Sequence, residues 1–396
     1  MTTERLYFTD SYLTRFDASV VDRGDGGRRV YLDRTAFYPT SGGQPCDFGR
    51  LEGIRVADVI DEGDRIGHLL DAPLAASRVQ GEVDWTRRFD HMQQHTGQHL
   101  LSAVFAERFG SQTVSVHFGQ ESSTLDLDRE ALPHAALTEA EAAANAVVTE
   151  DREVTVSFED AKRATGLRRS TERTGMLRIV TIAGLDRSAC GGTHVRRTGE
   201  IGPILIRKAE RVRKQLRLEF LCGGRATTRA RLDLEVLSKL AALASSGFDD
   251  LAPAIEKQAA DLKRSEAARR ELESLVYRRR ASDLYHQMEA DAAGRRVIIE
   301  GPGPDTAGAP SIDALRSLAQ GVVSLPGGVL LGASRRPPTL LIATSEDSGL
   351  DAARLLKTVL EEFGGRGGGS PRIAQGTLAQ DRLDEALARA RACLIP

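Results

Sequence analysis

The sequence predicts a multidomain α+β protein, on three observations. Apolar and polar residues alternate in short bursts near the N-terminus, a long later stretch is almost free of turn residues, and strand and helix signals alternate over the last hundred residues. At 396 residues the chain is too long for one ordinary core, and about two to four domains are expected.

Residues 1–88 carry the bursts LYF, SVV, RVYLD, VADVI and GEVDW between Gly, Asp and Pro clusters, which reads as a small β-rich, barrel-like domain. Within it FYPTSGGQPCDFG, from Phe37 to Gly49, sets Gly42 and Gly43 beside Gln44 in a sharp turn or a close approach to a ligand. Residues 89–224 form an α+β domain. A helix is expected from Asp90 as N-cap to Gly110, then strand-like TVSVHFG and STLDLD, an alanine-rich helix over 134–150, and two strands around a charged turn in ILIRKAERVRKQLRLEFLC. Residues 225–293 place Leu232, Val236, Leu240 and Leu243 on one helical face. A break at Ser245–Gly247 is followed by a second helix carrying Ile255, Leu262, Leu272 and Val276, so an antiparallel helical hairpin is expected, serving as a spacer or a dimerisation arm. Residues 294–396 read as an α/β domain, with a glycine-rich loop, GGRGGGSP, in which Arg366, Gly367, Gly368 and Arg372 suit a phosphate backbone or form a plain connector.

A formal net charge of −2 excludes a uniformly basic surface, so a polyanion has to be met locally. Four scattered cysteines, none in a C-x-x-C pair, fit a reducing compartment. The charged start MTTERLYFTD and the lack of an apolar run of roughly 18 residues predict a soluble, cytoplasmic protein with no membrane partner.

Two clusters far apart in the chain carry the chemistry. HTGQH supplies His95 and His99, one helical turn apart, and CGGTH supplies Cys190 and His194. Three imidazoles and one thiol are a tetrahedral set for one Zn²⁺ per chain. His91 makes the same four-residue spacing with His95, so spacing alone does not choose between the two pairs. With no H-E-x-x-H, the general base of a zinc protease is missing, and with no DHH sequence or carboxylate-rich cluster a phosphoesterase is disfavoured. Four protein ligands are the usual number for a structural ion, so a non-catalytic zinc-containing binding module stands beside an enzyme as a reading.

HTGQHLLSA, CGGTHVRRTGEIG and FYPTSGGQ closely resemble the signatures of the editing domain of alanyl-tRNA synthetases and of their free-standing relatives, the AlaX-type alanyl-tRNA editing proteins. The resemblance runs through roughly residues 5–225, with no adenylation domain ahead of it, and the hairpin and α/β module resemble the synthetases' C-terminal domain, the layout of the long form. It implies that the metal pair is the one followed by two leucines, His95 and His99, with Cys190 and His194, and leaves His91 outside. It implies that Gln44 lines the editing pocket with Gly42 and Gly43, and that Gly191, Gly192 and Thr193 lie close to the substrate. Thr35 or Thr193 would read serine. Where the family usually carries a glutamate, this chain has Pro39, Thr40 and Ser41, which alters the pocket's polarity. The implied reaction is hydrolysis of Ser-tRNA(Ala) or Gly-tRNA(Ala), with tRNA bound by the C-terminal domain and self-association through the helical or C-terminal region. Editing of threonyl-class tRNA is the related alternative. No catalytic side chain is assigned.

Overall fold

Alternation in the first 83 residues closes into a barrel because each strand has one apolar face to bury. The computed structural model describes residues 2–172, 174–301 and 310–394, and residues 1–240 and 241–396 form two separate units. In the first, a short parallel pair, β1 (Glu4–Arg5) and β4 (Arg34–Thr35), accompanies six strands: β2 (Arg15–Gly24), β3 (Arg29–Leu32), β5 (Gly49–Leu51), β6 (Ile54–Asp61), β7 (Ile66–Leu70) and β8 (Arg78–Val83). They close in the order β2-β3-β7-β6-β5-β8. Phe16, Val30, Leu32, Phe37, Leu51, Val56, Val59 and Ile66 fill the interior.

The helix α1 (Trp85–Phe109) leaves the barrel directly. Its N-cap is Asp84, whose side chain accepts from the Arg87 N–H, and not Asp90 as the sequence suggested. Asp90 instead pairs with Arg225 at 2.7 Å. The aromatic and β-branched run WTRRF hid the first turn, a case of tertiary packing overriding local propensity. Gly110, left-handed at φ 59°, ends the helix as expected.

Around α1 lie β9 (Thr113–Phe118), β10 (Ser123–Leu127), α2 (His134–Thr149), β11 (Val154–Asp160), β12 (Met176–Ile182), β13 (Asp186–Ala189), β14 (Ile204–Val212) and β15 (Gln215–Cys222). They make a four-stranded sheet, β14-β15-β10-β9, and a three-stranded sheet, β11-β12-β13. Met92, Leu100, Leu101, Val104 and Phe105 of α1 pack with Leu125, Val180, Leu218 and Phe220 in one core. Burying α1 on nearly all sides is what places polar His95, Gln98 and His99 inside the protein.

A buried ion pair ties barrel to helix: Arg88 and Asp47 are both fully buried and hydrogen-bonded to each other. Arg88 also donates to the Ser11 carbonyl at 2.7 Å and the Ala36 carbonyl at 2.6 Å, and Asp47 accepts from the Tyr38 N–H at 2.6 Å. This network anchors the FYPTSGGQ turn against α1.

Two helices follow the domain, α3 (Gly223–Ala244) and α4 (Leu251–Gln287), with Leu232, Val236, Leu243, Leu262, Leu272 and Val276 all exposed. The second unit is built on a five-stranded mixed sheet, β16 (Arg296–Glu300), β17 (Gly328–Arg335), β18 (Pro338–Thr344), β19 (Arg366–Gly369) and β20 (Ile373–Thr377), ordered β16-β17-β18-β20-β19. Only β16 and β17 run parallel, joined across α5 (Ile312–Val322); the other neighbours are antiparallel. Alternate residues feed two cores: Leu330 and Leu341 meet α4 and α5, while Leu331 and Ile342 meet α6 (Ala352–Phe363) and α7 (Leu383–Ala392). The expected glycine loop is in fact an exposed edge strand, β19. Gly367 and Gly369 lie so close to the backbone of residues 374–376 that any Cβ would collide, which is why the run can pair despite its composition. Among the described residues no helix is long and apolar enough to cross a membrane.

Candidate metal centre and cleft

Helical spacing on α1 points His95 and His99 to one side, and the segment after β13 brings Cys190 and His194 to meet them. One ligand atom from each of His95, His99, Cys190 and His194 lies within 4.8 Å of every other. Cys190 Sγ is 3.3 Å from His95 Nε2 and 3.4 Å from His194 Nε2. Tetrahedral Zn²⁺ with ordinary bond lengths would set such a nitrogen and sulfur about 3.6 Å apart. The two remote clusters are thus brought together, and the group could hold a metal ion. His91 is not part of it. It is buried, its Nδ1 has no partner among the described residues, and burial together with Arg87 pushes its pKa down to about 4.

Each imidazole is held by its far nitrogen, so that Nε2 is turned inward. His95 Nδ1 meets Gln44 Oε1 at 2.7 Å, His99 Nδ1 meets Asp186 Oδ2 at 2.9 Å, and His194 Nδ1 meets Thr96 Oγ1 at 3.2 Å. Because Gln44 Oε1 and the carboxylate only accept, Nδ1 of His95 and of His99 carries the proton, the tautomer a metal-binding Nε2 requires. The Gly192 N–H donates to Cys190 Sγ at 3.4 Å.

Charge in the cluster is already arranged for a cation. Burial would raise the Cys190 thiol, but the imidazoles of His95 and His194 outweigh it and hold the thiol well below its ordinary value. Burial pushes His194 down to about 3, with His95 adding to the effect. For His99 burial also acts downward, yet Asp186 and Cys190 prevail and carry it up to about 9. Burial opposes charge on Asp186, but its bonds to His99 and Arg168 keep the carboxyl below its usual range.

The other residues singled out in the sequence divide sharply. Gln44 is 1% exposed and both ends of its amide are engaged: Oε1 also accepts from the Thr193 N–H at 3.2 Å, and Nε2 donates to Thr193 Oγ1 at 2.8 Å. Gly42 and Gly43, at φ 56° and 85°, make the turn that delivers it. Gly192 packs directly against the His95 ring, while Gly191 has only Phe8 near its Cβ direction, at 3.8 Å. Thr35 and Thr193 are fully buried; Thr35 Oγ1 is 2.8 Å from His68 Nε2.

A cleft of about 530 Å³ opens beside the cluster, lined among others by Gly42, Gln98, His99, Thr113, Arg168 and Cys190. Neither Thr35 nor Thr193 lines it. Arg168 is tied to Asp186 at 2.7 Å and Ser188 at 3.2 Å, whereas Arg169 is exposed at the cleft and donates to the Thr113 carbonyl. In the second unit, Arg366, Gly367 and Gly368 lie on the exposed edge strand, and Arg372 donates to the Val323 carbonyl at 2.9 Å.

Asp186, Thr96 and Gln98 were missed in the sequence. Asp186 had a legible signal, since Asp186, Ser188 and Cys190 alternate at strand spacing and share one face. Thr96 and Gln98 had none, as their roles depend on which helix face is buried.

Fold and site together define a protein of the editing-domain kind found in aminoacyl-tRNA synthetases: a family model for the "Threonyl and Alanyl tRNA synthetase second additional domain" matches residues 177–218, and one for the "DHHA1 domain" matches residues 329–395. Among curated relatives, the alanyl-tRNA editing protein AlaX-L of Pyrococcus horikoshii is 30% identical over 415 residues, 99% of each chain. The chain belongs to the alanyl-tRNA editing protein family. AlaX-M of Methanosarcina acetivorans is 38% identical over 233 residues, covering 52% of this chain and 94% of its own. The alanine–tRNA ligase of Korarchaeum cryptofilum is 34% identical over 97% of this chain, which spans 44% of that ligase.

Proposed function

We propose that this chain is a trans-editing aminoacyl-tRNA deacylase, hydrolysing the ester of tRNA(Ala) mischarged with serine or glycine, with one Zn²⁺ held by His95, His99, Cys190 and His194. The observation that carries this reading is the four-donor group beside a polar cleft, in a chain 30% identical to a full-length alanyl-tRNA editing protein. When bound, zinc supplies a Lewis acid at the edge of the cleft.

The protein's own part is positioning. An aminoacyl ester is already activated, so the main requirements are to hold the acyl group, place a water and donate to the developing oxyanion. Gln44, Asp186 and Thr96 fix the three imidazoles, so that the cluster needs no rearrangement when substrate arrives. Gln44 thereby acts on His95 and Thr193. The exposed Arg169 would meet a phosphate of the tRNA terminus. In the second unit, Arg366 and Arg372, with Gly367 and Gly368, would take the tRNA backbone, and the exposed apolar residues of α3 and α4 would serve self-association. On this reading the domains run 1–88, 89–224, 225–293 and 294–396.

The test is release of amino acid from Ser-, Gly- and Ala-tRNA(Ala) by the zinc-loaded protein. Rapid release of serine or glycine and slow release of alanine support the reading; no release of either means a binding module only. Because the matched model joins threonyl and alanyl enzymes, Ser-tRNA(Thr) belongs in the same assay, and a preference for it would move the substrate to the threonyl class. Replacing Arg366 and Arg372 by Ala should raise KM for tRNA and lower its salt dependence by about one counterion for each phosphate no longer neutralised, with kcat unchanged.

A further inference from the structure

The cleft holds an acceptor that no other described residue uses. Gln98 precedes His99 on α1, lines the cleft, and is 6% exposed. Its Nε2 donates to Ser102 Oγ at 2.7 Å. Thr113 Oγ1 donates to the same oxygen, also at 2.7 Å. Ser102, fully buried, therefore receives two hydrogen bonds and pins the amide plane. Among the described residues nothing donates to Gln98 Oε1, and it is not one of the sealed, partnerless atoms of the interior. The carbonyl of a nearly buried side chain is thus held open to the cleft, next to a histidine of the cluster.

We propose that Gln98 determines specificity: its Oε1 accepts a hydrogen bond from the hydroxyl of a seryl group bound in the cleft. This rests on the reading of the cleft as the aminoacyl site. A hydroxyl-bearing side chain satisfies the carbonyl. A methyl group at the same place strips it of water and leaves it unpaired, a penalty that a site built to hydrogen-bond a hydroxyl imposes on the analogue lacking one. Glycine puts no atom there, so water can remain on the carbonyl, and the preference for glycine over alanine does not depend on displacing it. The bond that Gln98 Nε2 donates to Ser102 Oγ fixes the plane of the amide, and Thr113, donating to the same oxygen, holds that partner in place.

The experiment compares kcat/KM of the full-length, zinc-loaded protein for Ser-tRNA(Ala) and Gly-tRNA(Ala) with that of Gln98→Met, close in volume but without an acceptor, and of Gln98→Glu, which keeps one. Gln98→Met should lose about 10- to 100-fold on the seryl substrate while the glycyl rate stays within about threefold. Gln98→Glu should keep the seryl-to-glycyl ratio. Equal losses on both substrates in Gln98→Met would show a merely structural role and overturn the proposal, as would an unchanged ratio. If Gln98→Met does not retain stoichiometric zinc, the ratio in Thr113→Val decides: a fall supports the acceptor's role and no change overturns it. A wild-type protein inactive on both substrates would sink the underlying functional reading, whereas an active one with an indifferent Gln98 sinks this inference alone.

Discussion

Gly192→Ala asks whether the CGGTH segment is shaped by the metal centre. The backbone at residue 192 is not in the left-handed region, so alanine adds only its methyl. A Cβ there would lie under 3.0 Å from both Cε1 and Nδ1 of His95, and 3.0 Å from Gln44 Oε1. Restoring an ordinary contact of 3.4 Å from the 2.1 Å at Cε1 requires ring and backbone to part by about 1.3 Å. Metal–ligand distances tolerate about 0.2 Å, so His95 leaves the set or distorts it, and its bond to Gln44 breaks. Outer-shell damage alone costs 10- to 100-fold in metal affinity, and adding a displaced ligand puts the loss at about 100-fold or more, about 2.8 kcal/mol. The neighbouring Gly191→Ala is the control, because its Cβ meets only Phe8 at 3.8 Å. Competition with a chelator of known zinc affinity reads both variants. Gly192→Ala binding zinc as tightly as wild type, or Gly191→Ala failing equally, would refute the reasoning.

Zinc affinity should rise with pH. In the metal-free protein His99 holds a proton up to about pH 9, and zinc must displace it, whereas the Cys190 thiol is already depressed. Below about 6.5, the unperturbed histidine value, the raised pKa of His99 stabilises the metal-free fold in full, and that contribution is lost as pH climbs through 9. The logarithm of the zinc association constant should therefore gain about one unit per pH unit across that window, and Asp186→Asn should flatten the dependence; titration calorimetry at several pH values checks it. Arg88→Met leaves Asp47 buried and unpaired, and should lower unfolding free energy by about 3–5 kcal/mol in denaturant titrations. His91→Ala should keep one zinc per chain by elemental analysis, since His91 lies outside the four-donor group.

The halves of the centre were legible because each is local: a four-residue step on a helix, and a glycine-spaced Cys-to-His cluster. Their meeting was legible only through the chemistry of the donor set, since no local pattern says that residues 95 and 190 touch. Outer-shell partners were harder. Gln44 sits in a visible turn, yet the direction of its amide depends on Thr193, far along the chain. Gln98 carries no signal in the sequence, since its proposed role rests on Ser102 and Thr113 on one side of its amide. The glycine strand was misread because pairing there depends on the close approach of residues 374–376, where composition suggests only freedom.

The measurement that tests the central claim most directly is Ser-tRNA(Ala) deacylation by chelator-treated protein as zinc is returned stepwise, with Cys190→Ala beside it. Activity should climb linearly and level off at one equivalent per chain, while the variant stays flat. Full activity without zinc, or an equally active Cys190→Ala, would contradict the account.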